Sequence, residues 1–128
     1  MHDPAPQRPG ATDGAGPLTD LERTVLVAML AGDGENFAAL RMQLVRATVL
    51  SRTHSGVGFV TRLGLPDEVP AVSETALPRL KPVHALHPGL SESAQFLLQL
   101  RGGRLAVLEA YCFEGAWPAD ESDFRVVG

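Results

Sequence analysis

A pair of apolar runs joined by two glycines constrains the fold of this chain more than any other feature. Residues 94–113 read AQFLLQLRGGRLAVLEAYCF. Gly102-Gly103 suits a two-residue type I′ turn, because both turn positions need positive φ. We therefore predict a β-hairpin with strands at Gln95–Arg101 and Arg104–Phe113. An isolated hairpin is barely stable in water, so this one requires further strands and a covering layer.

Glu109 is the one charged residue within the apolar run of the second strand. Regular alternation from the turn places Glu109 opposite Phe96, on the face that should meet the core. An unpaired carboxylate there would be costly to bury or would have a raised pKa. Two interpretations follow: a general acid/base or charged anchor for a partner, or a structural residue paired with Arg52, Arg62 or backbone N–H groups.

Two helices are predicted ahead of the first strands. The segment Thr19–Glu22 matches a capping box, in which the Thr hydroxyl and the Glu carboxylate bind free N–H groups at a helix start. Apolar residues recur at helical spacing up to Leu30, and the segment AGDGEN at 31–36 ends the helix. A second helix is expected at about Asn36–Ala47. Their short connection predicts an αα-hairpin.

The hydrophobic pattern then changes to that of strands. We predict strands at Thr48–Thr53 and Gly58–Leu63, then a long irregular loop at 65–83 that holds four prolines. Short strands are expected at Val83–His87 and Phe124–Val127. The predicted fold class is α+β, with the N-terminal αα-hairpin packed on one face of a four- to five-stranded antiparallel sheet.

The domain organisation follows from composition. Residues 1–17 are rich in Pro and Gly and have no large aliphatic residue after Met1, which is typical of a disordered tail. Residues 18–128 should form one domain. Cys112 is the single cysteine, and the chain shows neither a signal-peptide pattern nor an apolar run long enough to span a membrane. We therefore expect a cytoplasmic protein.

Acidic residues are concentrated near the C-terminus. The net charge is −4, and five acids with no basic residue occupy the 15 residues 109–123. This negative charge argues against nucleic acid as a binding partner, because nucleic-acid binding depends on Lys and Arg. Trp117-Pro118 lies among these acids, and an aromatic anchor with an acidic rim suits a basic protein partner. The predicted partner-binding residues are Glu109, Glu114, Trp117, Asp120, Glu121 and Asp123.

Other chemistry-bearing residues do not form a recognisable catalytic or metal site. Cys112 lacks the surrounding sequence of a known nucleophile motif and is interpreted as a buried small apolar side chain. His84 and His87 lie three apart on a predicted strand, which points them to opposite faces. Gly56-Val57-Gly58 lacks the spacing of a phosphate-binding loop and predicts a turn. No metal, cofactor or catalytic residue is predicted.

Four segments resemble a family of small uncharacterised bacterial α+β proteins: LTDLERTVLVAMLAGD, ALRMQLVRATVLSR, GVGF and AQFLLQLRGGRLAVLEAYCFEGAWP. In that family the last block reads Leu-Glu-x-Tyr-x-Tyr-x-x-x-Trp-Pro, and Phe113 stands here where Tyr is common. The resemblance spans about Leu18–Val127. It implies a protein-binding role similar to that of immunity proteins, which neutralise bacterial toxins. The residues that match the block are Leu108, Glu109, Tyr111, Trp117 and Pro118.

The leading functional hypothesis is a non-catalytic protein-binding domain, in the manner of an immunity protein that blocks a basic toxin through its acidic C-terminal surface. One alternative is a small enzyme that uses Glu109 as general acid/base, with Tyr111 or a histidine. A third hypothesis is a homo-oligomeric structural protein that pairs through a half-polar sheet face or an edge strand. The expected state is therefore a monomer or a homodimer.

Overall fold

The computed structural model describes residues 12–127, which form one antiparallel sheet and two helices. The helices are α1 (Asp20–Met29) and α2 (Glu35–Arg46). The strands are β1 (Thr12–Asp13), β2 (Thr48–His54), β3 (Gly58–Gly64), β4 (Val83–Leu86), β5 (Ala94–Arg101), β6 (Arg104–Tyr111) and β7 (Arg125–Val127).

Helix α1 begins at the predicted capping box. Thr19 Oγ1 accepts from Glu22 N, and Glu22 Oε1 accepts from Thr19 N at 2.8 Å. Carbonyl groups just after the C-terminal end of α1 are hydrogen-bonded by α2: Arg41 donates to the carbonyl oxygens of Leu30 and Gly32 at 2.7 and 2.8 Å. Both helices lie within about one residue of their predicted bounds.

The sheet has seven strands in the order β1-β2-β3-β6-β5-β4-β7, and every pairing is antiparallel. The α+β class is confirmed, but the prediction of four to five strands is too low. The prediction missed β1, which is only two residues long and lies within the segment 1–17 expected to be disordered. In the described part of that segment, Gly16 also bridges Val49. The remainder of the predicted tail, residues 1–11, lies outside the described residues.

The hairpin β5–β6 turns at Gly102-Gly103, where both φ angles are positive, as a type I′ turn requires. The predicted register beyond the turn is wrong. Leu100 pairs with Leu105, but Gln99 pairs with Val107, so Ala106 is an extra residue in β6. Such a β-bulge reverses the face of every later side chain in its strand. Glu109 therefore lies opposite Leu97 instead of Phe96.

The hydrophobic core lies between the helices and one face of the sheet. The strands contribute alternate buried residues such as Phe59, Leu108 and Phe96, which cluster with Val25 and Leu40 of the helices. Among residues 12–127 no helix packs on the second face, which exposes several large apolar side chains, among them Val60, Leu97 and Phe113. Because the described helices cover only one face, the alternate residues of β3, β5 and β6 border solvent.

The long loop between β3 and β4 is held against the hairpin turn by buried polar contacts. Gln43 of α2 donates to the carbonyl oxygens of Pro70 and Gly103, each at 3.0 Å, and accepts from Leu105 N at 2.9 Å. Arg104 donates to the carbonyl oxygens of Pro66 and Val69. Although irregular, this proline-rich loop is therefore fixed at the hairpin end of the fold.

Candidate functional site

The most polar region of the core is a hydrogen-bonded cluster around Glu22. This side chain is 0% exposed, yet it accepts from Arg52 Nε at 2.9 Å, from a second Arg52 nitrogen at 2.6 Å and from the Thr61 hydroxyl. With the bond from Thr19 N, the carboxylate has four donors. A two-pronged Arg–carboxylate contact is among the strongest ionic hydrogen bonds in proteins.

Asp13 and His54 form the outer part of the same cluster. Asp13 Oδ2 accepts from Arg52 at 3.3 Å and from His54 Nε2 at 3.0 Å. The hydrogen bond from His54, together with the Arg52 charge, lowers the pKa of Asp13. These contacts fasten the short edge strand β1 to its neighbour β2. The cluster therefore joins β1, β2, β3 and the start of α1.

Every charge in this cluster has a partner. Burial alone would raise the pKa of Glu22, but the hydrogen bonds from Arg52, Thr61 and Thr19 outweigh it, and the pKa is lowered. The hydrogen bonds to Glu22 also raise the pKa of Arg52. A carboxylate held in its charged form by four donors has no free lone pair for a substrate or a proton. The arrangement is thus suited to fixing the fold.

Trp117 is half-buried in an aromatic cluster at the edge of the core. Its ring contacts Phe59, Phe96 and Phe124, with centroid distances of 5.5, 6.2 and 5.0 Å. The indole N–H donates to Glu121 at 2.8 Å. Burial raises the pKa of Glu121, and the nearby Glu22 charge adds to this effect. Of the six predicted partner-binding residues, Trp117 and Glu121 therefore point towards the core.

Three of the predicted partner-binding residues lie together on the surface: Glu114, Asp120 and Asp123 are all exposed. Glu114 accepts from the Ser91 hydroxyl at 2.9 Å, and the Asp120 carbonyl lies 3.0 Å from His87 Nε2. These contacts bring the C-terminal loop against the segment between β4 and β5. That segment adds a fourth exposed acid, which the sequence prediction missed. We define the acidic surface as Glu92, Glu114, Asp120 and Asp123.

The acidic surface borders an open groove with a volume of about 440 Å³. Glu92 and Asp123 line it together with His87 and Ser91, and Arg125 is the one arginine or lysine in its lining. Asp120 is fixed by bonds from the backbone N–H and hydroxyl of Ser122, which lower its pKa. The groove lining combines two carboxylates, Glu92 and Asp123, with polar and apolar side chains.

Glu109 lies apart from the acidic surface, on the open face of the sheet. It is flanked by Val60 of β3 and Leu97 of β5, which are 36% and 51% exposed. Further along β6, Tyr111 contacts Phe113, whose exposed fraction is 61%. The register that motivated an acid/base role for Glu109 is wrong, because the bulge at Ala106 moves this carboxylate away from the core.

The remaining predicted sites have ordinary surroundings. Cys112 is buried, and burial raises the pKa of its thiol, which disfavours the reactive thiolate. Gly56 has positive φ in the β2–β3 turn, as the turn prediction requires. His84 pairs with Gln95 on the open face, whereas His87 packs against Phe124. Within residues 12–127, no three His, Cys, Asp or Glu side chains are placed to hold a metal ion.

Among the described residues, neither helix has the length and apolar character needed to cross a membrane. Comparison of the chain with protein-family models, curated proteins and solved structures gives no match. The resemblance to small bacterial proteins therefore stays a prediction.

Proposed function

We propose that this protein is a non-catalytic protein-binding domain whose acidic surface docks a basic partner, in the manner of an immunity protein that neutralises a toxin. The observation that carries the proposal is the convergence of Glu92, Glu114, Asp120 and Asp123 on one surface, where Glu92 and Asp123 line a groove. Carboxylates arranged in this way raise the association rate of a positively charged partner.

The fixed conformation of the C-terminal loop supports this role. Trp117 holds the loop to the core, and its backbone N–H donates to Gly56 O at 2.9 Å. Contacts from His87 and Ser91 hold Asp120 and Glu114 from the other side. A surface already held in one shape loses less conformational entropy when a partner binds, so more of the interaction energy appears as affinity.

Trp117 and Glu121 serve this function indirectly. Their hydrogen bond and the aromatic cluster set the path of residues 112–124, and the exposed acids take their positions from that path. The groove is large enough for a lysine or arginine side chain, whose charge would face Glu92 and Asp123. A cytoplasmic location is part of the proposal, in keeping with the unpaired cysteine.

The test is a pull-down from the source organism with wild-type protein and with a Glu114→Lys/Asp120→Lys/Asp123→Lys variant, followed by mass spectrometry. We expect a partner with a basic surface to be retained by the wild type and lost by the variant. Binding of the purified pair should weaken as salt concentration rises, because exposed charges are screened. Circular dichroism spectra of the two proteins should coincide, since all three side chains are exposed.

A matched control reverses exposed acids elsewhere. Glu35→Lys/Glu74→Lys changes charges near the helices and the long loop, away from the groove. This variant should keep the partner. Equal retention by the wild type and the triple variant, or partner binding that is independent of salt, would contradict the proposal.

A further inference from the structure

The open sheet face carries one negative and one positive charge in its centre, and neither has an ionic partner among the described residues. Val60 pairs with Glu109 across β3 and β6, and Arg62 pairs with Val107. These four side chains share the open face, since Thr61 and Leu108 between them are buried in the core. Within residues 12–127 the ion pairs involve only Arg46, Glu68, Arg52, Asp13, Glu22 and His54.

The four residues occupy the corners of a rectangle. Val60 and Val107 lie on one diagonal, and Glu109 and Arg62 lie on the other. Consider two copies stacked face to face, with a two-fold axis in the plane between their sheets. A residue on the axis then faces the same residue of the other copy, whereas a residue on one side of the axis faces the residue that lies on the opposite side. With the axis along the valine diagonal, valine meets valine, and Glu109 of each copy meets Arg62 of the other.

We propose that a second copy of this chain covers the open face in such a two-fold dimer. The charge pattern supports a second copy over a basic partner, because Arg62 would repel that partner at the centre of the face. Val60 and Leu97 beside the charges supply exposed apolar area for burial. This dimer goes beyond the proposed function and uses a surface other than the acidic one.

The proposal accounts for a carboxylate between exposed apolar side chains. In the single chain, Glu109 stands between Val60 and Leu97 with no ionic partner among the described residues. In the dimer it would be shielded from solvent and paired with an arginine, which strengthens the interaction of the two charges. The symmetry gives two such pairs in each dimer. A substitution that removes one of the two pairing residues therefore removes both ion pairs of the dimer.

The test measures dimerisation by sedimentation velocity over a wide concentration range. We expect the wild type to show a reversible dimer. Glu109→Arg and Arg62→Glu should each raise the dimer dissociation constant by at least about 30-fold, because each leaves like charges facing each other in two places. The double variant Glu109→Arg/Arg62→Glu should restore dimerisation, since it exchanges the two charges. Glu74→Arg, an exposed change in the long loop, should leave the constant unchanged.

Val60→Asp tests the position of the axis. A residue on the axis meets its own copy, so this variant should place two carboxylates together and prevent dimerisation. A wild type that is monomeric at every concentration would overturn the proposal, as would charge-reversed variants that dimerise normally. A double variant without rescue would overturn the Glu109–Arg62 pairing. Partner binding at the acidic surface should survive Glu109→Arg, so the dimer and the proposed function fail independently.

Discussion

Two glutamates, each directly after a leucine, show how differently this fold treats a carboxylate. Glu22 follows Leu21 at the start of α1 and is fully buried, with two hydrogen bonds from Arg52 and further bonds from Thr61 and Thr19. Glu109 follows Leu108 in β6, borders solvent and has no ionic partner among the described residues. The sequence pattern predicts Glu22 only as a member of the capping box, and it places Glu109 on the face that should meet the core.

The comparison teaches that burial of a charge depends on the donors that the fold can bring to it. Three of the four donors to Glu22 come from β2 and β3, some 30 and 39 residues away along the chain, and the fourth is the neighbouring Thr19 N. Together the four donors outweigh the cost of removing the carboxylate from water, since the pKa of Glu22 is lowered. Among the described residues Glu109 has no such set of donors, and a single extra residue in its strand turns it outwards. The same residue type therefore stabilises the fold at one position and remains available to a partner at the other.

The largest effect is expected from Arg52→Ala, which leaves Glu22 buried without its ionic partner. We expect the free energy of unfolding at neutral pH to fall by about 3–5 kcal/mol, as measured by urea denaturation. Because the pKa of Glu22 is lowered in the folded protein, its stabilising contribution is present above the unfolded-state pKa and is lost as pH falls through the folded-state pKa. The difference in the free energy of unfolding between the variant and the wild type should therefore decrease in acid.

Arg23→Ala is the matched control, because Arg23 is exposed on the same helix. It should change the free energy of unfolding by no more than about 0.5 kcal/mol. A similar loss of stability in both variants would show that the Glu22–Arg52 contact contributes little.

Glu121→Gln should have a smaller effect of opposite sign. Burial raises the pKa of Glu121 in the folded protein, so its ionised form costs stability at neutral pH. The amide oxygen of Gln can still accept from Trp117, and we expect a gain of roughly 0.5 kcal/mol at neutral pH. The gain should vanish below the unfolded-state pKa, where both states carry a protonated Glu121. A gain that persists in acid would refute this account.

The smallest effect is expected from Glu109→Gln, measured at a protein concentration at which the chain is monomeric. The side chain makes no ion pair among the described residues, so the free energy of unfolding should change by no more than about 0.5 kcal/mol. A loss of several kcal/mol would mean that Glu109 is a structural residue like Glu22. The comparison between the two glutamates would then be wrong.

Local sequence patterns predicted most of the helices and strands. The bounds of α1 and α2, the Gly102-Gly103 turn and the main strands agree with the structure within about one or two residues. These features depend on capping, turn chemistry and periodicity, which a few neighbouring residues decide. The edge strand β1 was not predicted because a strand of two residues is too short to show a periodic pattern. Its position depends on the contacts of Asp13 with Arg52 and His54 of β2.

The candidate site was only partly predictable. The density of acids along the chain predicts Glu114, Asp120 and Asp123 as partner-binding residues; all three are exposed, and Asp123 lines the groove. Glu92 was not predicted, because it lies 22 residues before Glu114 and joins it only through the packing of two loops. Trp117 and Glu121 belong to the same acidic segment but turn inwards, since the aromatic cluster offers a place for the indole.

The sequence by itself determined the class of fold, the order of its two helices and of strands β2 to β7, and a hairpin that must bury one face. Only the tertiary structure decided which face of β6 meets the core, which carboxylate is buried and which acids share a surface. The physical reason is the distance along the sequence between the residues that interact. Capping and turn geometry act between neighbours, whereas a bulge at Ala106 and the donors to Glu22 depend on strands and helices distant in sequence.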